Sequence, residues 1–122
     1  MERAVPVLPG DSISVAREFF VERLGFSVRF EATEDGINGL LGVQRGDLYL
    51  TIDCPMSGHG RNACAVLEVD DADALYEDWK QRVEIKRSPI DEPWGGRTFG
   101  VTDPFGNSIF IIGPVRQPAG SQ

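Results

Sequence analysis

Apolar and polar positions along this chain follow two periods, and the period switches several times. Val5–Leu8 is a short apolar run that reads as a strand, and Pro9-Gly10-Asp11 breaks it. From Ile13 the apolar residues fall at Ile13, Ala16, Phe20 and Leu24, with Phe19 flanking. That spacing predicts a helix with one buried stripe, capped by Ser12 and closed at Gly25, with Phe26 as the apolar residue after the cap. Three strand candidates follow: Phe26–Ala32, Gly39–Gln44 and Leu48–Asp53. The last divides cleanly, with Leu48, Leu50 and Ile52 on one face and Tyr49, Thr51 and Asp53 on the other. Thr33–Asn38 reads as an acidic loop, and Cys54–Asn62 as a mobile connection carrying the single His59.

The order of elements then begins again. Ala63–Val69 is a strand, Asp70-Asp71 breaks it, and Ala74–Arg82 is a helix with Leu75 and Trp79 at helical spacing. Val83–Ser88, Arg97–Thr102 and Ser108–Ile112 are read as strands, and the Pro/Gly/Ser-rich residues from Pro114 as a loose tail. The pattern is βαβββ twice. It predicts an α+β fold of two βαβββ modules, about 4–53 and 63–113, each too small to bury its sheet alone, with a tail at 114–122. A shift of 60 residues places Asp11 on Asp71, Phe19 on Trp79, Gly46-Asp47 on Gly106-Asn107 and Leu50 on Phe110.

One stretch, Glu92 to Phe110, concentrates the chemistry. Trp94-Gly95-Gly96 precedes a strand, and Asp103-Pro104-Phe105-Gly106-Asn107 makes a tight turn before the next. Proline pre-sets the turn's second position, and Gly106 and Asn107 are expected to take the positive φ that closes it. Composition narrows the partners. A net charge of −7 argues against nucleic acid and mildly favours a cationic ligand, although an acidic surface also serves solubility alone. Two cysteines in 122 residues read as reduced thiols. No apolar run reaches the roughly 20 residues of a membrane span. With no basic-then-apolar segment at the start, the expectation is a cytoplasmic protein without membrane contact.

The doubled unit with its Asp-Pro-x-Gly-Asn turn resembles the vicinal oxygen chelate superfamily, the glyoxalase, dioxygenase and bleomycin-resistance group. Within it, the chain looks like the bleomycin-resistance proteins. The residues that carry the resemblance are Ala4-Val5-Pro6-Val7-Leu8, Phe19 with Arg23-Leu24-Gly25-Phe26, Leu75-Tyr76 with Trp79, Pro93-Trp94-Gly95, and Asp103-Pro104 with Gly106-Asn107. The resemblance implies curved sheets, a homodimer that can exchange N-terminal strands, and ligand grooves between subunits.

Enzymes of this superfamily hold a divalent ion with His, Glu or Gln from the first, fourth, fifth and eighth strands. Here those slots fall at Ala4 or Val5, at or near Leu50, at Cys64 and at Phe110. One soft thiol among apolar side chains cannot hold such an ion, so no metal, no cofactor and no catalysis are expected. Cys64 is read as a buried small hydrophobe. His59, in a Ser-Gly-His-Gly loop, is read as an exposed loop residue, since nothing at fixed spacing would orient it as a base. What remains is an apolar cleft with a few polar groups. Trp94, beside Gly95, is the expected stacking residue, since the corresponding tryptophan of bleomycin-resistance proteins lines the drug groove. Leu40 falls where that family carries its other stacking aromatic. Asp35, Asp53 and Asn62 are rim candidates, with Tyr49 and Thr51 on the face of Asp53 and Phe110 as an apolar wall. The resemblance therefore implies sequestration of a bleomycin-type drug, metal-free or copper-bound. The alternatives are a metal-dependent lyase, dioxygenase or thiol transferase of the same superfamily, or a binding protein for another metabolite or antibiotic.

Overall fold

The computed structural model describes residues 2–55 and 62–116. The elements run β1 (Val7–Pro9), α1 (Ile13–Arg17), β2 (Ser27–Ala32), β3 (Gly39–Arg45) and β4 (Leu48–Cys54). They continue with β5 (Cys64–Glu68), α2 (Ala72–Trp79), β6 (Ile90–Asp91), β7 (Gly96–Thr102) and β8 (Ser108–Pro114). Two mixed four-stranded sheets result, ordered β1-β4-β3-β2 and β5-β8-β7-β6. The same order recurs in each, as two βαβββ modules of an α+β fold require. No described helix is long and apolar enough to cross a membrane.

By compactness the chain forms two units: Met1–Ala65 with Thr102–Ser108, and Val66–Val101 with Ile109–Gln122. In the first, the Ser12 hydroxyl caps α1 by accepting from the Val15 N–H. The helix then continues as a π-helical segment, Glu18–Arg23, in which the Leu24 N–H donates to the Phe19 carbonyl five residues back. This wider turn lets adjacent Phe19 and Phe20 both enter the core, edge to face at 5.1 Å. Gly25, at φ +79°, closes the helix as expected. Below α1, the inward face of the sheet is Leu41, Val43, Leu50 and Ile52, all fully buried. Strand β1 begins at Val7 rather than Val5 and includes Pro9, which an edge strand tolerates because no ladder donor is required of it there.

The second unit repeats the logic with one correction. Asp71 caps α2 by accepting from the Ala74 N–H at 3.0 Å, so the helix starts at Ala72, earlier than its apolar spacing predicts, and it ends at Trp79. Trp79 is fully buried against Phe99, with ring centroids 6.1 Å apart. The predicted strand Val83–Ser88 is not one. The hairpin partner of β7 is the two-residue β6, with Ile90 opposite Thr98 and Asp91 opposite Arg97. Side-chain bonding takes over before it: the Arg87 guanidinium donates to the Thr98 carbonyl at 2.8 Å and to its hydroxyl at 3.1 Å. At the other end of the unit, β8 runs to Pro114 and the Arg116 N–H donates to Asp91, so the first residues after Ile112 are held.

The Asp103–Asn107 turn also departs from expectation. Gly106 takes a positive φ, but Asn107 does not; among described non-glycine residues only Asn62 does. Asn107 is instead fully buried and acts through its amide. Its Nδ2 donates to the Pro9 carbonyl at 2.7 Å and to Asp103 at 2.8 Å, while its Oδ1 accepts from the Ala63 N–H at 3.2 Å.

Burial also revises the internal register. The two helix caps, Ser12 and Asp71, lie 59 residues apart, and the same offset pairs the fully buried Phe20 with Trp79. Buried Leu50, Ile52 and Cys54 then match buried Ile109, Ile111 and Gly113. A one-residue slip moves every strand position to the other face, so Phe110 corresponds to Thr51, not to Leu50.

Candidate ligand-binding site

Cross-strand partners share a face of a sheet, and the pairings of the first sheet gather its half-exposed residues together. Leu40 lies opposite Asp53, Gly42 opposite Thr51, Gln44 opposite Tyr49, Phe30 opposite Gly42 and Val7 opposite Thr51. Four of the expected site residues, Leu40, Tyr49, Thr51 and Asp53, therefore stand on one open face, away from α1. The Phe30 ring lies flat over Gly42, where a Cβ would overlap it. Sequence reasoning passed over Phe30 because a bulge between Val28 and Phe30 breaks the strand's simple alternation.

The N-terminal arm adds a feature that no periodicity signals. The Arg3 guanidinium lies 3.9 Å from the Tyr49 ring centroid and that of Arg29 4.9 Å from it. The Tyr49 hydroxyl accepts from the Gln44 amide at 2.9 Å.

In the second unit, Trp94 sits at the tip of the β6–β7 hairpin and is 61% exposed. Its turn is fixed from both sides: the Gly95 N–H donates to the Glu92 carbonyl at 3.0 Å, and the Glu92 N–H to the Gly96 carbonyl at 2.7 Å. The Glu92 side chain in turn accepts from the Thr98 hydroxyl at 2.8 Å. The indole folds over Gly96, where a Cβ would come within 2.5 Å of it and 3.0 Å of Ile112. Close approach of this kind needs glycine. A largely exposed tryptophan over a small floor can stack on a flat ligand.

Two further expectations change. Cys64 is exposed, not buried, and stands on the same face of β5 as Val66 and Glu68. Cys54 is the buried thiol, pushed up to about 11 by burial and by the nearby charges of Asp53 and Asp11. Asp35 does not stand on the open sheet face. It organises the β2–β3 loop, accepting from the Asn38 and Ile37 N–H groups at 2.8 Å each and from the Asn38 amide at 2.8 Å. Those bonds, the Asn38 backbone first, hold its carboxyl down at about 2. The loop borders an acidic concavity of about 620 Å³ lined in part by Glu31, Glu34 and Asp35. Asn62 is exposed beside the Gly106 turn, and His59 lies outside the described residues.

With the corrected register, the slots where the resemblance implies metal ligands fall at Val5, Thr51, Cys64 and Phe110. A thiol and a hydroxyl among apolar side chains do not fit the imidazole and carboxylate donor set such an ion requires. Among the described residues, no three His, Cys, Asp or Glu side chains cluster as metal ligands.

Comparison with known proteins agrees with this architecture. The family described as the Glyoxalase/Bleomycin resistance protein/Dioxygenase superfamily matches residues 4–111. A bleomycin-binding protein from bleomycin-producing Streptomyces verticillus, solved with copper(II)-bleomycin, is 31% identical. It aligns over 94% of this chain and 98% of its own, with a TM-score of 0.75. A second bleomycin-binding protein, solved with bleomycin, is 26% identical over 94% of this chain and 100% of its own, with a TM-score of 0.76. A lactoylglutathione lyase from Agrobacterium tumefaciens shares the fold at 19% identity, covering 93% of this chain and 94% of its own, with a TM-score of 0.69. No curated protein sequence matches significantly. With two βαβββ modules and a family match over residues 4–111, the chain belongs to the glyoxalase/bleomycin resistance protein/dioxygenase superfamily.

Proposed function

We propose that this protein binds a bleomycin-type drug without turning it over, and confers resistance by sequestration. It would act as a homodimer, with the drug in grooves between subunits. The observation that carries this reading is Trp94: a largely exposed indole, fixed by its own hairpin and laid over Gly96. The residues at the family's metal slots support binding over catalysis, since they lack the donors a metal-dependent lyase or dioxygenase needs. The two bleomycin-binding relatives support the ligand class.

The test is a titration of the purified protein with metal-free and copper-loaded bleomycin, followed by tryptophan fluorescence and heat. Trp79 is fully buried and serves as a constant background, so the change reports Trp94. Saturation near one or two drugs per dimer is expected, and Trp94→Ala should weaken it about tenfold or more, the scale of losing a stacked aromatic contact. No saturable signal, or the same affinity in Trp94→Ala, would sink the drug assignment. Stoichiometric divalent metal in protein purified without chelator would revive the enzyme reading.

A second reading, binding of a different antibiotic or metabolite, is favoured by Leu40. An aliphatic residue on the open face packs against a ligand but does not sandwich an aromatic one.

A further inference from the structure

We propose that Arg3 and Arg29, gathered around Tyr49 on the open face of the first sheet, form a recognition site for the anionic group of an apolar organic acid. The site would take a carboxylate, sulfonate or phosphate carried on a hydrophobic body. The inference does not depend on the drug assignment, and it concerns charge of the opposite sign to the cation that the acidic surface favours.

Five of the other arginines face carboxylates. Arg17 faces Glu31, Arg23 faces Glu18, Arg82 faces Asp78, Arg87 faces Glu92, and Arg97 faces both Asp73 and Asp91. In a chain of net charge −7 with 19 acidic side chains, carboxylate pairing is the easy outcome. Arg45 donates instead to the Leu24 carbonyl at 2.8 Å, and Arg3 and Arg29 take a third course. Among the described residues neither pairs with a carboxylate, and both guanidiniums converge on one ring, at 3.9 and 4.9 Å from its centroid. Two cations gathered at one ring without a carboxylate leave local positive charge, which an anion at the ring's edge neutralises. Guanidinium is the side chain best shaped for such a group, because its fork donates two parallel N–H bonds to a planar oxyanion.

The surroundings complete the chemistry. The Tyr49 hydroxyl accepts from Gln44, which leaves its own proton to donate. Both cations lie by the Tyr49 ring, and Arg29 also lies 5.8 Å from the Phe30 centroid. Phe30 and Val7, both substantially exposed, supply apolar area on the same face. A simple inorganic anion would leave that area wet, whereas an aromatic acid covers it. Two carboxylates of this sheet are engaged elsewhere: Glu31 pairs with Arg17, and Asp53 has its own interactions.

The test compares 2-naphthoate with its neutral analogue 2-naphthamide by calorimetry, on the full chain, at low and at raised salt. Naphthoate is expected to bind about tenfold more tightly than naphthamide, with the advantage shrinking as salt rises. The double variant Arg3→Gln/Arg29→Gln should bind both equally. Arg29→Lys, which keeps the charge but not the fork, should retain part of the preference. Both arginine residues are exposed, so the variants should stay folded, which circular dichroism melts check. Equal affinity for the two probes in the unmodified protein, no binding of either, or a preference that survives in the double variant would overturn the proposal. A parallel bleomycin titration separates the readings: drug binding that fails while naphthoate selectivity persists removes the drug assignment alone.

Discussion

Two tryptophans show how one residue type takes opposite roles. Trp79 lies on a helical stripe with Leu75 and disappears under Phe99; Trp94 follows Pro93 and precedes two glycines, and it stays in solvent. Both environments are local, so both were legible from neighbouring residues alone. Gly96 gives a way to test the second. Gly96→Ala places a Cβ 2.5 Å from the indole, so the ring must move. The expected outcome is a shifted Trp94 emission and weakened ligand binding, with little loss of stability because the displaced ring is exposed. The cysteines were not legible in this way. Residue type favours burial for both, yet strand phase buries Cys54 and exposes Cys64. At pH 8, iodoacetamide should label Cys64 at least tenfold faster than Cys54, read by peptide mass spectrometry, because the buried thiol is both shielded and held protonated. The sign extends to stability. The folded thiol stays neutral up to about 11, while an unfolded one ionises from its ordinary value of 9.0, so the stability from this group falls as pH rises between the two.

At the scale of elements, turn chemistry was predicted in type but not in mechanism. Asp103-Pro104 and Gly106 do build the turn before β8. Asn107 works by a different route: its amide ties the turn to Pro9, 98 residues earlier. No local rule reveals such a bond. Asn107→Ala leaves the Pro9 carbonyl and the Asp103 carboxylate each short of a donor in a buried place, and should cost about 2–4 kcal/mol in urea unfolding. Burial pushes the Asp103 carboxyl up, against the pull of the N–H donors of Asn107 and Phe105, so this carboxylate depends on them. The β2–β3 loop behaves in the opposite sense. Asp35 is held down at about 2, so the order it gives the loop is complete above its ordinary value of 3.8 and fades as pH falls from there toward 2. Amide resonances of Ile37 and Asn38 should shift in that window, and Asp35→Asn should abolish the shift. The false strand Val83–Ser88 has a related cause. Its alternation is real, but the hairpin is positioned from the Glu92–Gly96 turn backward, and that geometry reaches only Ile90 and Asp91.

At the scale of the whole molecule, both sheets leave large apolar side chains uncovered in the single chain: Val7, Phe30 and Leu40 in one, Val66, Ile90 and the Trp94 hairpin in the other. Such uncovered surface suits a homodimer as well as a ligand. Sedimentation velocity should accordingly give twice the 13.4 kDa chain mass at micromolar concentration, and a monomer there would remove the intersubunit groove from the proposed function. The amino-acid order by itself determined the doubled βαβββ fold, since apolar period, helix caps and turn residues are all local signals. It also determined the poverty of metal donors, because changing register by one residue exchanges one non-ligand for another. Tertiary structure decided what depends on distant partners. It set the 59-residue offset that puts Phe110 with Thr51, the exposure of Cys64, the anchor from Asn107 to Pro9, and the meeting of Arg3 with Arg29 at Tyr49. Each of these is a matter of strand phase or long-range pairing. Periodicity records that a strand has two faces, but only its neighbours decide which face is covered.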